Sequence, residues 1–145
     1  MEIQHPSETI FHAIESAIKA YRKYAQQKIS EQIEGITLDQ SLALIYIKKH
    51  PELTQNELAE LLFKDNASLT RMIKLMVKNG FVTRTINDED LRRYKLTLTK
   101  KAEIIVAKLP QIIQSNRATA LDGITLADQE VVKELLHDIK NNCKI

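Results

Sequence analysis

Between Thr54 and Thr99 the chain reads TQNELAELLFKDNASLTRMIKLMVKNGFVTRTINDEDLRRYKLTLT, and its periodicity changes within that stretch from helical to alternating. Thr54-Gln55-Asn56-Glu57 has capping-box spacing, with a hydroxyl placed to accept from the backbone three residues on and Glu57 placed to reach back. Leu58, Leu61 and Leu62 then supply one apolar face to a short helix. Asp65 is a fitting N-cap for the next helix, because a carboxylate satisfies the orphan N–H groups at a helix start. There Leu69, Met72, Ile73 and Met76 fall at i, i+3, i+4 and i+7, an inward stripe. Thr70, Arg71, Lys74 and Lys78 lie on the opposite face, with Asn66 and Ser68 near its start. Gly80 follows as a left-handed terminator.

Beyond Gly80 the period falls to two. Val82, Arg84 and Ile86 alternate with Phe81, Thr83 and Thr85; Tyr94, Leu96 and Leu98 alternate with Lys95 and Thr97. The seven polar-rich residues between, Asn87 to Arg93, are too many for a two-residue turn. The pattern predicts a hairpin with Arg92 and Arg93 at or near its tip.

Two helices joined by a short turn form a helix-turn-helix, whose second helix enters the major groove of DNA. On the helices alone, an αα-hairpin with a solvated basic face fits equally well. The hairpin favours the first reading, since a wing beside the recognition helix brings an arginine to the minor groove, where negative potential concentrates. A surface loop of self-neutralising charges is the plainer account of the tip. On the winged reading Arg71 suits guanine and Asn66 adenine, with Ser68 and Thr70 also facing bases and Lys74 and Lys78 on phosphate. Arg92 would be the minor-groove finger, Asp90 its charge-assisted support and Arg93 a second backbone contact.

These residues carry a resemblance. Leu58-Ala59-Glu60-Leu61, Ser68-Leu69-Thr70-Arg71, Lys78-Asn79-Gly80-Phe81-Val82 and Asp90-x-Arg92…Leu96-x-Leu98-Thr99 resemble the MarR family, the multiple-antibiotic-resistance-type regulators. The similarity covers the middle third closely and extends loosely over nearly the whole chain. It implies a homodimer of winged helix-turn-helix subunits on a pseudo-palindromic operator, usually as a repressor. Three positions depart from the family pattern: Lys64 where an aliphatic residue is common, Leu91 where arginine is common, and Ala102 in place of a glycine.

Charge is distributed as that reading needs. From Lys48 to Lys101 there are 12 Lys/Arg against seven Asp/Glu, a balance of +5, whereas the remainder carries nine against 12, a balance of −3. Positive charge concentrated on the reading unit is what phosphate attraction requires.

The outer segments read as helices. Ile10, Phe11, Ile14, Ala17, Ile18, Tyr21 and Ala25 form a stripe along a helix from about Ser7 to Gln32. Thr37-Leu38-Asp39-Gln40 is a second capping box, opening a helix with Leu38, Leu42, Leu44, Ile45 and Ile47 that is apolar on more than one side and therefore central; it should end at His50-Pro51. After Thr99 a long helix carries Ile104, Ile105, Leu109, Ile112 and Ile113, with Pro110 expected to kink it. Thr125 caps a last helix with Val131, Val132, Leu135, Leu136 and Ile139.

The fold class expected is mainly α with a small β-hairpin (α+β). It comprises an N-terminal dimerisation helix (1–34), a winged helix-turn-helix DNA-binding domain (35–99) and C-terminal dimerisation helices (100–145). The outer helices bury too little against a unit of that size to stand as monomeric arms, so pairing across a two-fold axis is expected.

Other chemistry finds little support. His5, His12, His50 and His137 are dispersed without metal-ligand spacing, and no nucleophile–base pair, phosphate loop or H-E-x-x-H motif occurs. Neither an enzyme nor a cofactor or metal is expected. Cys143, the lone cysteine, excludes an intramolecular disulfide and suits a reducing cytoplasm; no apolar run nears ~18 residues, and no signal peptide opens the chain. Lys140 and Lys144 flank Cys143 and would favour its thiolate, so a thiol-based redox sensor is one rival reading; a winged-helix adaptor that binds protein rather than DNA is another. The resemblance also implies a small aromatic or phenolic effector held between the dimer helices and the winged unit. His12, Tyr21, Tyr24 and Tyr46 are the candidates to line that pocket.

Overall fold

The computed structural model describes residues 1–86 and 94–145. Six helices and one antiparallel hairpin follow in order: α1 (Ile10–Gln32), α2 (Leu38–Lys49), α3 (Gln55–Leu61), α4 (Asn66–Lys78), β1 (Val82–Ile86), β2 (Tyr94–Leu98), α5 (Lys100–Ala120) and α6 (Leu126–Asn142). The expected mainly α architecture with one small sheet is what forms.

Side-chain caps set most of the boundaries. Thr37 and Gln40 close a full capping box at α2. At α3 the Thr54 hydroxyl accepts from Glu57 N–H at 3.1 Å, so the threonine half of the expected box forms. Asp65 accepts from Ser68 N–H at 2.7 Å, and Thr125 accepts from Asp128 N–H at 3.1 Å. The first helix starts later than its periodicity suggests. Pro6–Glu8 form a 3-10 turn, and Thr9, in extended backbone, accepts from His12 N–H to open α1 at Ile10.

One core runs from the second half of α1 to α5. Ala25 and Ile29 of α1 meet Ala43, Leu44 and Ile47 of α2, Leu58 of α3, Leu69, Ile73 and Met76 of α4, and Ile105 and Leu109 of α5. The α4 stripe is buried as its spacing predicts. Two stripes need correction: Leu61 and Ile104 face outward, while the small Ala59 and Ala102 are buried instead. Each alanine lets two helix backbones approach where a leucine or isoleucine would overfill the space. Pro110 lies within α5, which runs on to Ala120. In the N-terminal half of α1 the stripe is bare, with Ile10, Phe11 and Ile18 exposed, and α6 buries none of its residues.

α3 and α4 both end in Schellman turns. After α4, Phe81 N–H donates to Met76 C=O and Gly80 N–H to Val77 C=O, with Gly80 at φ +76°. After α3 the same two bonds run from Lys64 to Ala59 and from Phe63 to Glu60, but the left-handed position is Phe63, at φ +56°. A non-glycine there costs about 1–3 kcal/mol, and the Phe63 ring is 95% exposed, so it recovers no packing energy. Phe63→Gly is therefore expected to stabilise the fold by about 1 kcal/mol, the relief of strain being partly offset by glycine's larger unfolded-state entropy. An unchanged or lower urea midpoint would contradict this.

Candidate nucleic-acid interface

α4 is built to present its outer face. With Leu69, Met72, Ile73 and Met76 committed to the core, 3.6-residue geometry leaves Ala67, Arg71, Lys74 and Lys78 along the outer midline, all exposed. Asn66 and Thr70 lie on one flank of that line, Ser68 and Leu75 on the other. The helix is about 20 Å long, enough to lie across a groove.

Its first turn is internally ordered. Asp65 accepts from both the backbone N–H and the hydroxyl of Ser68, at 2.7 and 3.0 Å, and the Ser68 oxygen in turn accepts from Arg71 Nη2 at 3.0 Å. The chain Asp65–Ser68–Arg71 fixes the guanidinium against the helix start before any ligand arrives. The Thr70 hydroxyl donates back to Asn66 C=O at 2.8 Å, leaving its oxygen free to accept. Ala67, central on the outer face, carries no periodicity signal and is missed by a search for polar contacts; its small size lets the helix axis approach closely.

The hairpin stands beside α4. Val82↔Leu98, Arg84↔Leu96 and Ile86↔Tyr94 are directly opposed and share one face. Val82 is buried, and the Arg84 guanidinium lies 5.1 Å from the Tyr94 ring centroid, a cation–π contact that stiffens the wing near its outer end. The tip residues Asp90, Arg92 and Arg93 lie outside the described residues. At the wing's base, Thr99 Oγ1 donates to Gly80 C=O at 2.6 Å and Lys101 Nζ to Asn79 C=O at 2.9 Å. These bonds clasp the start of α5 to the end of α4, so the recognition helix, wing and long helix form one piece.

Two carboxylates have lowered pKa values. Burial raises that of Asp39, but the hydrogen-bonded Arg22 and Lys64 outweigh it and bring it below the ordinary 3.8. Asp65 is lowered chiefly by the backbone N–H and hydroxyl of Ser68. Both groups are more acidic folded than unfolded, so their stabilisation is present above the unfolded value and disappears as pH falls through the folded one. Between pH 7 and 5 the unfolding free energy should show no change from these two groups; below about pH 4 it should fall, and less steeply in Asp39→Asn. Urea titrations at several pH values check the sign.

The four aromatic pocket candidates lie on α1 and α2. His12 is exposed on α1; Tyr21 and Tyr46 are half-buried against the core, and Tyr24 lies under Lys28 Nζ, 5.5 Å from the ring centroid. A small cleft lies elsewhere, between the end of α2, the start of α3 and β2, lined by His50, Leu53, Gln55, Tyr94 and Leu96 among others. Among the described residues no cluster of three or more His, Cys, Asp or Glu could hold a metal ion, and no helix is long and apolar enough to cross a membrane. Cys143 is exposed at the end of α6.

Comparison with known proteins agrees with this geometry. Residues 36–94 match the family model described as MarR family. Over 78 residues the chain is 35% identical to the organic hydroperoxide resistance transcriptional regulator of Bacillus subtilis (strain 168), an alignment spanning 54% of this chain and 53% of that protein. Two solved structures share the fold over nearly all of both chains. One is a mutant MarR from E. coli complexed with operator DNA (TM-score 0.83, 22% identity, 96% of this chain and 99% of that one). The other is Bordetella bronchiseptica BpsR, whose DNA binding is regulated by 6-hydroxynicotinic acid (TM-score 0.84, 17% identity, 96% and 98%). With its outer helix face, its match to the MarR family model over residues 36–94 and the same framing by long helices, the winged unit has the MarR-type fold and is similar to regulators of the MarR family.

Proposed function

We propose that the protein binds a pseudo-palindromic operator as a homodimer, acting in the cytoplasm as a repressor that a small aromatic effector releases. The observation that carries this reading is the division of surfaces in the protomer. α4 offers Asn66, Ser68, Thr70, Arg71, Lys74 and Lys78 on one side of the winged unit, while apolar side chains are left bare on α1 and α6 away from it. On this reading 1–34 and 100–145 are dimerising, although Ala25, Ile29 and the inner face of α5 also serve the core of the 35–99 unit. Arg71 and Asn66 read base edges, Lys74 and Lys78 hold phosphates, and the wing contributes Arg92, supported by Asp90, together with Arg93.

Release requires only that an effector bind better to a dimer whose recognition helices are wrongly spaced. Aromatic acids suit that role, as in the Bordetella relative, and His12, Tyr21, Tyr24 and Tyr46 on the first two helices are the residues to test.

Selection of bound duplexes from a random pool should yield a palindrome with half-sites about one helical turn apart. On that duplex Arg71→Ala should cost about 1–3 kcal/mol and relax preference at one base pair in each half-site, whereas Lys74→Ala or Arg92→Ala should weaken all sequences alike and lower the salt slope by about one. Absence of duplex affinity at low salt would overturn the reading.

A further inference from the structure

Asp39 is held by two cations from different parts of the chain. Arg22 Nη2 of α1 lies 2.5 Å from Oδ1, and Lys64 Nζ, from the turn between α3 and α4, lies 3.1 Å from Oδ2. The Asp39 and Lys64 side chains are only 22% and 25% exposed, so this is not a solvent-swept surface pair.

The placement of the three partners is specific. Arg22 stands between Ala25 and Tyr21, the last α1 residue packed against the core before the bare apolar half that includes Ile18. Asp39 is in the first turn of α2, where the helix dipole also favours a carboxylate. Lys64 immediately precedes Asp65, the N-cap of α4. Its side chain is delivered there by the Schellman turn at Phe63, and the left-handed strain at Phe63 is held by that turn's two backbone bonds.

We propose that Arg22, Asp39 and Lys64 are positioning residues for DNA recognition, tying the start of the reading helix to the helix that emerges toward the second subunit. The tie rests on the dimeric, DNA-binding reading above and extends it: the three side chains set how far apart two copies of α4 are held. Removing a charge frees the turn to pivot about Phe63 while leaving the buried stripe of α4 in place. The loss then falls on spacing, not on base readout.

The test uses the full-length dimer and the duplex selected by the wild type, together with versions whose half-sites are moved one base pair closer or farther apart. Lys64→Met keeps the alkyl stem and removes the charge; Asp39→Asn removes the shared anion; Lys64→Arg restores the charge. Lys64→Met and Asp39→Asn should each lose roughly two- to thirtyfold affinity for the selected spacing. They should also discriminate less between spacings and keep base preference unchanged, with Lys64→Arg restoring most of the discrimination. If Asp39→Asn does not fold, Lys64→Met against Lys64→Arg still decides the matter. Variants that are less stable yet discriminate spacings as the wild type does would overturn the proposal while leaving the DNA-binding reading intact. A wild type without duplex affinity would overturn both.

Discussion

Ile18→Glu is expected to give a folded protomer that no longer dimerises and has lost roughly 10²- to 10⁴-fold of its affinity for a palindromic duplex, the range by which linked sites exceed single ones. Ile18 is 49% exposed on α1, one helical face with the exposed Phe11, and it makes no part of the buried core. A carboxylate there costs the protomer little. In a two-fold interface the same substitution appears twice, so two carboxylates must be desolvated in an apolar contact. Circular dichroism and light scattering separate folding from association, and anisotropy titration on full and half operators measures the binding loss. An Ile18→Glu protein that remains dimeric would place the subunit contact on other residues; α6, with Val131, Val132 and Leu135 all more than half or about half exposed, would be the next to substitute.

Ile73→Ala is expected to cost about 2–5 kcal/mol of stability, a large share of the roughly 5–15 kcal/mol available to a domain of this size. Ile73 is 0% exposed at the centre of the α4 stripe. The neighbouring α3 and β1 are held by their own buried residues, Leu58, Ala59 and Val82, so the vacated volume closes only in part. Because the same stripe seats the reading helix, operator affinity should fall with stability, unlike a contact residue whose loss spares the fold. Leu75→Ala is the control: two positions along the same helix but 51% exposed, it should change stability by no more than about 0.5 kcal/mol. Equal urea midpoints for the two variants would mean that the α4 stripe is not the seat described here.

How far the chain can be read without coordinates differs from element to element, for physical reasons. Helix starts were legible because an N-cap is a local bond between one side chain and a backbone N–H three residues on, as at Thr37, Thr54, Asp65 and Thr125. The α4 stripe and the two strands of the hairpin followed from period alone, whereas their register did not. Stripes flanked by further apolar residues were ambiguous: Leu61 and Ile104 satisfy helical spacing and still point outward, because which edge of a broad stripe is buried depends on the partner helix. The outer face of α4 was legible as the complement of its buried stripe, apart from Ala67, whose methyl group sends no signal. Phe63 was missed because left-handed positions announce themselves only when glycine occupies them.

The sequence by itself determined the order of elements, the inward side of the recognition helix and the basic character of its outward side. All of these follow from contacts within about four residues along the chain or from strand pairing across one turn. Only the tertiary structure decided that α1 is buried at one end and bare at the other, and that Arg22, Asp39 and Lys64 meet around a single carboxylate. Those arrangements join residues 17 to 42 positions apart, a separation no periodicity encodes; they are set by how whole helices pack once their separate faces are buried.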